Sequence, residues 1–225
     1  MTRRLGVLGG TFDPVHFGHL EAADAARSAL ALTDVLFVPS YDPPHRPDPR
    51  ASAFHRFALV ALALDGRPGC RLSDLELMRH GSSYTSETLR SLHRVGWAPL
   101  QIFFILGADA FAEIATWHEF PEVLDAAHFV VVTRPGSPIE ESLARTPGVR
   151  DRAASGTAVA DVTATRVFVV EARTRDVSST GIRARVAQGR PIDDLVPAAV
   201  ARHIAMNGLY RMESELHDDK EASGA

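Results

Sequence analysis

The sequence predicts an α/β protein: a doubly wound parallel sheet with helices on both faces and a small helical part at the C-terminal end. Three observations carry that reading. The most apolar segments, 101–106 and 128–133, are continuous rather than alternating runs, as strands buried on both faces require. Such runs alternate along the chain with stretches of helical composition, in the order strand, helix, strand, helix, strand, helix, strand, strand, helix. The segments richest in glycine, histidine, arginine and hydroxyl residues directly follow strands, and parallel sheets bind ligands beyond the carboxyl ends of their strands.

Taken in order, Leu5, Gly6, Val7 and Leu8 form a short buried strand ending at Gly9 and Gly10. Residues 20–32 are alanine-rich and read as a helix whose small face lies close to a sheet. Residues 35–38 are a second strand, stopped by Pro39. A proline-rich loop follows, containing Pro43, Pro44, His45, Arg46 and Pro47. Residues 54–64 read as a helix ended by the Gly66 to Gly69 stretch, and 71–78 as one or two short strands. Thr85 or Ser86 caps a helix to about Val95. Residues 101–106 are a strongly apolar strand, 119–126 a helix, 128–133 another apolar strand and 167–170 the last strand. Ser178, Ser179 and Thr180 cap a helix through Ala187. Pro197 starts a final helix with Val200 and Ile204 on one face, stopped at Asn207 and Gly208.

With 225 residues the chain can bury a sizeable core as one domain, 1–212. Within it, 137–165 reads as a variable insertion, and 213–225 as a polar, disordered tail. The net charge of −4 does not suit coating nucleic acid or an anionic membrane by bulk charge, so positive groups for phosphate must be local. Neither a nucleic-acid nor a membrane partner is expected, and no apolar stretch reaches the length of a membrane span. Cys70 is the only cysteine, which excludes an intramolecular disulfide and a Cys-rich zinc module and points to a reducing cytoplasm. The sequence leaves oligomeric state open, a homo-oligomer included.

The segment from Gly9 to His19 carries the strongest chemical signal. Gly9 and Gly10 let the backbone approach a ligand and take conformations closed to other residues. His19 falls in the first turn of the following helix, where free N–H groups and the helix dipole favour anions. His16 lies three residues earlier, and Gly18 leaves space for a phosphate. Both imidazoles can donate to phosphoryl oxygens, and near a triphosphate both can be protonated. Two other readings compete. The glycines can mark a tight turn only, which would not need both histidines. The histidines can be a metal pair, but no third ligand stands nearby at a recognisable spacing.

The set Gly10, Thr11, Phe12, Asp13, Pro14, His16, Gly18, His19 resembles the signature of the nucleotidylyltransferase superfamily, which shares its His-x-Gly-His element with class I aminoacyl-tRNA synthetases. Together with Gly9, the Pro43 to Arg46 loop and the run Ser178, Ser179, Thr180, Gly181, Ile182, Arg183, it is similar to bacterial nicotinate-nucleotide adenylyltransferases, from about residue 4 to Arg211. The resemblance implies a Rossmann-like sheet. It also implies ATP held by Gly9, Gly10, Thr11, Phe12, His16, His19, Gly107, Asp109, Ser179, Thr180 and Arg183, with Mg²⁺ carried on the ATP phosphates rather than by a protein metal site. His16, His19 and Arg46 become catalytic. His45, Arg46, Thr85, Trp117 and Arg134 face the mononucleotide, Trp117 stacking on the pyridine ring and Thr85 receiving its carboxylate. Arg56 is expected to act structurally. Each residue has a plainer reading as well: a surface loop for His45 and Arg46, a helix cap for Ser178 to Thr180 and for Asp109, and core packing for Trp117.

The implied reaction joins nicotinate mononucleotide to ATP, giving deamido-NAD and pyrophosphate. A phosphate nucleophile is largely ionised at neutral pH, its second pKa being about 6, so no strong general base is required. Alternatives are an adenylyl- or cytidylyltransferase for another acceptor, such as nicotinamide mononucleotide or phosphopantetheine, and a nucleotide-binding sensor. A synthetase-like ligase is disfavoured by the short chain.

Overall fold

The computed structural model describes residues 3–43, 48–79, 81–136, 139, 143, 146–154, 156 and 163–211. Its strands are β1 (Leu5–Gly10), β2 (Asp34–Pro39), β3 (Cys70–Leu72), β4 (Ile102–Gly107), β5 (His128–Thr133) and β6 (Val167–Glu171). Its helices are α1 (Phe17–Leu30), α2 (Ala53–Leu64), α3 (Leu75–Arg79), α4 (Thr85–Arg94), α5 (Ala108–Ala112), α6 (Ser179–Ala187) and α7 (Ala198–Met206).

The strands form one sheet in the order β3-β2-β1-β4-β5-β6, every pair parallel. The predicted fold class is thus borne out. Strand order reverses between β1 and β4, the crevice where doubly wound sheets bind nucleotides. The continuous apolar runs have the expected cause. In β4, Phe103 and Ile105 enter a core shared with α1, α2, α6 and α7, whereas Ile102, Phe104 and Leu106 enter the opposite core with α4, α5 and the 111–127 segment. β5 divides likewise, Val130 and Val132 against Phe129 and Val131. Both faces of the sheet are covered, so alternation is absent from the sequence because each parity is buried.

Three local expectations are corrected. Residues 71–78 supply a three-residue strand and then α3. The alternation of Leu75, Glu76, Leu77 looks strand-like, but the Ser73 hydroxyl accepts the Leu75 N–H and starts a helical turn instead. Residues 119–126 give only a 3₁₀ turn, Glu122–Asp125, behind a left-handed Glu119 at φ 61°. The cap of α4 is Tyr84, so Thr85 and Ser86 are its first helical residues.

The final helix follows its expected pattern, with Val200 and Ile204 buried and Asn207 as its cap. Of the proposed insertion, the described part sends Ile139 and Val149 into the second core and adds a 3₁₀ turn, Arg150–Arg152. The rest of 137–165, and the 213–225 tail, lie outside the described residues. No helix among the described residues is long and apolar enough to cross a membrane.

Candidate active site

The Gly9 to His19 segment runs off the carboxyl end of β1 and turns into α1. The two glycines do not serve a special backbone conformation; the left-handed residue is Phe12, at φ 51°. Their role is close packing. A Cβ on Gly9 would stand 3.2 Å from the Phe104 ring, and one on Gly10 3.2 Å from the Phe12 ring. Phe12 is buried against Phe37 and His19, so only its backbone can serve a ligand.

His16 caps α1 in extended conformation, and its backbone N–H donates to His19 Nδ1 at 3.3 Å. That bond leaves the His19 proton on Nε2 and so makes Nε2 a donor. The two imidazoles stack with centroids 3.7 Å apart. His16 Nδ1 is buried with no partner among the described residues. Burial lowers the His16 pKa to about 4 and, with the neighbouring His16, pushes His19 well below its ordinary value. Burial thus favours neutral rings at pH 7 in the free protein; the charge expected from the sequence concerned rings beside a triphosphate. An anion in their reach raises both pKa values again. The missing side chain of Gly18 makes room for the His16 ring and for Val177, each 3.1 Å from a would-be Cβ.

Two residues that the sequence did not mark as binding groups hold this segment in place. The Asp13 carboxylate accepts the backbone N–H groups of Arg50 at 2.8 Å and Ala51 at 3.1 Å and the Tyr210 hydroxyl at 2.7 Å. Burial and the Asp13 charge push the Tyr210 phenol far up, so it stays a donor. Arg56, wholly buried, donates to the carbonyls of Thr11 (2.7 Å), Ser40 (2.6 Å), Tyr41 (3.0 Å) and Ala51 (3.2 Å), tying the loop after β1 to the loop after β2. This is the structural role expected of Arg56. The available sequence signal for both was a charged residue inside an otherwise apolar or loop-forming stretch, which only tertiary partners explain.

The Ser178 to Arg183 segment, on the same face of the sheet as α1, meets the same loop. The Ser178 hydroxyl accepts the Gly181 N–H and caps α6. Ser179 donates its hydroxyl to the Pro14 carbonyl at 2.9 Å. Arg183 donates to the Asp13 carbonyl at 2.7 Å and to Thr180 Oγ1 at 3.1 Å, with its guanidinium 3.8 Å from the Asp13 carboxylate. Capping and clustering at the site therefore coexist.

At the end of β4, Gly107 is exposed and has open space where a Cβ would stand. Gly107, not Asp109, is the cap of α5; Asp109 is exposed and has no side-chain partner among the described residues. Thr85 opens α4, and Trp117 packs edge-on against Phe104, centroids 6.0 Å apart, and against Phe129. Phe104 thus bridges Trp117 and Gly9. Arg134 stands apart, exposed after β5 and paired with Asp176 at 2.9 Å and the Arg175 carbonyl. His45 and Arg46 lie outside the described residues. No group of three or more His, Cys, Asp or Glu among the described residues can hold a metal ion.

The arrangement presents two neutral imidazole donors, hydroxyls and a guanidinium around one loop at the switch point, with an aromatic surface and a helix start beside it. That set can bind and stabilise a chain of phosphates. Residues 7–185 match the cytidylyltransferase-like family. Over 212 residues the chain is 41% identical to the probable nicotinate-nucleotide adenylyltransferase of Moorella thermoacetica, covering 92% of each protein. It is 35% identical to the probable nicotinate-nucleotide adenylyltransferase of Salmonella gallinarum, covering 91% of this chain and 97% of that one. In fold it is similar to the Plasmodium falciparum nicotinic acid mononucleotide adenylyltransferase complexed with NaAD, with a TM-score of 0.71 at 17% identity over 92% of this chain and 97% of that one. The family that the motifs resembled is the family found, and this chain belongs to the nicotinate-nucleotide adenylyltransferases.

Proposed function

We propose that this protein transfers the adenylyl group of ATP to nicotinate mononucleotide, forming deamido-NAD and pyrophosphate in NAD biosynthesis. The observation that carries the reading is the stacked His16 and His19 pair at the start of α1, whose preceding loop is held at the Asp13 and Pro14 carbonyls by Arg183 and Ser179 of α6. The nicotinate-nucleotide adenylyltransferase activity for which the relatives are named and the aromatic surface at Trp117 support the choice of acceptor. A phosphate oxygen of the mononucleotide attacks the α-phosphorus in line; the new P–O bond forms as the bond to the β-phosphate breaks, and pyrophosphate leaves with the electron pair. The nucleophile is already ionised, so no side chain need remove a proton.

Catalysis is positioning and charge stabilisation. His19 offers Nε2–H, and the His16 ring stacked on it offers a second imidazole, to the phosphoryl oxygens. Arg183 and Thr180 face the β- and γ-phosphates, and Arg46 with His45 closes on the phosphates from the loop after β2. Asp109, exposed at the end of β4, accepts from the ribose hydroxyls. Thr85 receives the nicotinate carboxylate at the N-terminus of α4, Trp117 stacks on the ring, and Arg134 contributes positive charge at the rim. ATP is taken up as its magnesium complex, the ion neutralising phosphate charge. A single cysteine suits work in a reducing cytoplasm.

Incubation with ATP, Mg²⁺ and nicotinate mononucleotide should give deamido-NAD, identified by mass, in equal amount with pyrophosphate. Pyrophosphate release with phosphopantetheine or nicotinamide mononucleotide, but not with the nicotinate form, would overturn the acceptor assignment.

A further inference from the structure

The two groups assigned to the nicotinate ring come from separate elements, Thr85 from α4 and Trp117 from the segment after α5. Their sequence neighbours touch each other. The His118 ring stacks on the Tyr84 ring, centroids 4.3 Å apart and planes 23° from parallel. His118 Nδ1 and the Ser86 hydroxyl are 3.1 Å apart, a hydrogen bond. His118, next to Trp117, therefore grips both residues that flank Thr85. The contact is reinforced one residue on. Glu119 is left-handed, a strained conformation for a residue with a side chain. Its carboxylate pairs with Arg90 of α4, which also pairs with Glu87, two residues from Thr85.

The α4 end of this clasp is itself rigid. The Ser86 side chain is 5% exposed, and the buried Thr88 hydroxyl donates to the buried Glu76 carboxylate of α3. At the Trp117 end the ring packs against the second core, with Phe104 and Phe129 as aromatic neighbours, and the segment after it turns on the strained Glu119. The fixed element is α4, and the clasp sets where Trp117 stands relative to it.

We propose that His118 is a positioning residue for acceptor recognition: its side chain, through Tyr84 and Ser86, fixes the distance between Trp117 and Thr85 and hence the fit of a flat aromatic ring bearing a carboxylate. This rests on the proposed function for the identity of the ligand, but not for the clasp itself. A positioning residue for one substrate changes the KM for that substrate and leaves the other substrate's KM and turnover nearly unchanged. Its contribution is one aromatic stack and one hydrogen bond, together about tenfold in affinity.

The test uses the full chain and three variants, His118→Ala, His118→Phe and Ser86→Ala, with KM and kcat measured separately for nicotinate mononucleotide and ATP. His118→Ala should raise the mononucleotide KM about tenfold, with kcat and the ATP KM changed less than about threefold. His118→Phe keeps the stack and loses the hydrogen bond, so it should recover about half of that loss on a logarithmic scale. Ser86→Ala should match His118→Phe and add nothing to His118→Ala, because both remove the same bond. A second readout needs no substrate. In a Trp97→Phe background Trp117 is the sole tryptophan, and His118→Ala should raise its quenching by acrylamide. An unchanged mononucleotide KM, or equal rises in both KM values, would overturn the proposal, as would unchanged quenching. If wild-type protein does not use nicotinate mononucleotide, the acceptor assignment fails, and quenching alone then decides the clasp. Should His118→Ala not fold, His118→Phe and Ser86→Ala carry the same comparison.

Discussion

Replacing Gly18 by alanine separates the two tasks of the α1 start. A Cβ there would stand 3.1 Å from His16 Nδ1, 3.2 Å from His16 Cε1 and 3.1 Å from Val177 Cγ1. Comfortable carbon contacts begin at about 3.5 Å, so neighbours must retreat by about 0.4 Å. The His16 ring cannot retreat toward His19, already stacked at 3.7 Å, and has to turn. For stability, overpacking costs about 1–3 kcal/mol, partly offset by about 1 kcal/mol from replacing a helical glycine. For chemistry, a catalytic group displaced by up to about 1 Å loses up to about 10²-fold in rate. Pyrophosphate release under saturating ATP and nicotinate mononucleotide, with thermal unfolding of the same samples, reads both. The expected result is kcat down by about 10- to 100-fold while Tm falls by no more than about 8 °C. Adding Val177→Ala should return part of the activity, since it frees the other side of the new methyl group. Wild-type kcat in Gly18→Ala would refute the view that this glycine exists to seat His16.

Arg56→Lys keeps the charge but cannot reach four carbonyls on two loops. Leaving about three buried acceptors unmade costs about 3 kcal/mol, which in a chain of this size lowers Tm by about 6–12 °C; a change under about 2 °C would contradict the bridging role. His128, buried at the start of β5, has its pKa lowered to about 4, chiefly by burial. The folded state resists its protonation, so this contribution is complete above about pH 6.5 and is lost as pH falls toward 4, amounting to about 2 kcal/mol at pH 5. Urea unfolding at pH 7 and pH 5 should show a smaller acid loss in His128→Gln, which can still accept the Arg166 N–H that His128 Nδ1 accepts at 2.9 Å; an unchanged loss would place the acid sensitivity elsewhere.

How much of this was legible beforehand depended on the range of the interaction that decides each feature. Five strands and the first and last helices were placed from local pattern, because burial on both faces and capping write themselves into adjacent residues. The residues 71–78 misled because a Leu-Glu-Leu alternation fits a strand, and one serine hydroxyl decided otherwise. Residues 119–126 misled because a left-handed Glu119 breaks the helix, and nothing in composition marks a residue held there by Arg90 from another element. The histidine pair was visible in sequence, yet not the lowering of both pKa values, which burial causes, with the neighbouring His16 adding to it at His19. The packing of Gly18 was not legible for the same reason: its partner Val177 comes from the far end of the chain. Asp13 and Arg56 bind loops rather than ligands, and Asp13 does so through partners at 50, 51, 183 and 210. Such hubs leave no local signature.

The central claim is that the His16 and His19 imidazoles stabilise the charge of the reacting phosphates. The most direct measurement is kcat of His19→Ala with ATP and nicotinate mononucleotide, alongside the circular dichroism spectrum and the ATP dissociation constant. Losing one preorganised donor at the developing charge should lower kcat by about 10²–10³-fold, with the spectrum unchanged and ATP still bound. Turnover within a few-fold of wild type would contradict the account.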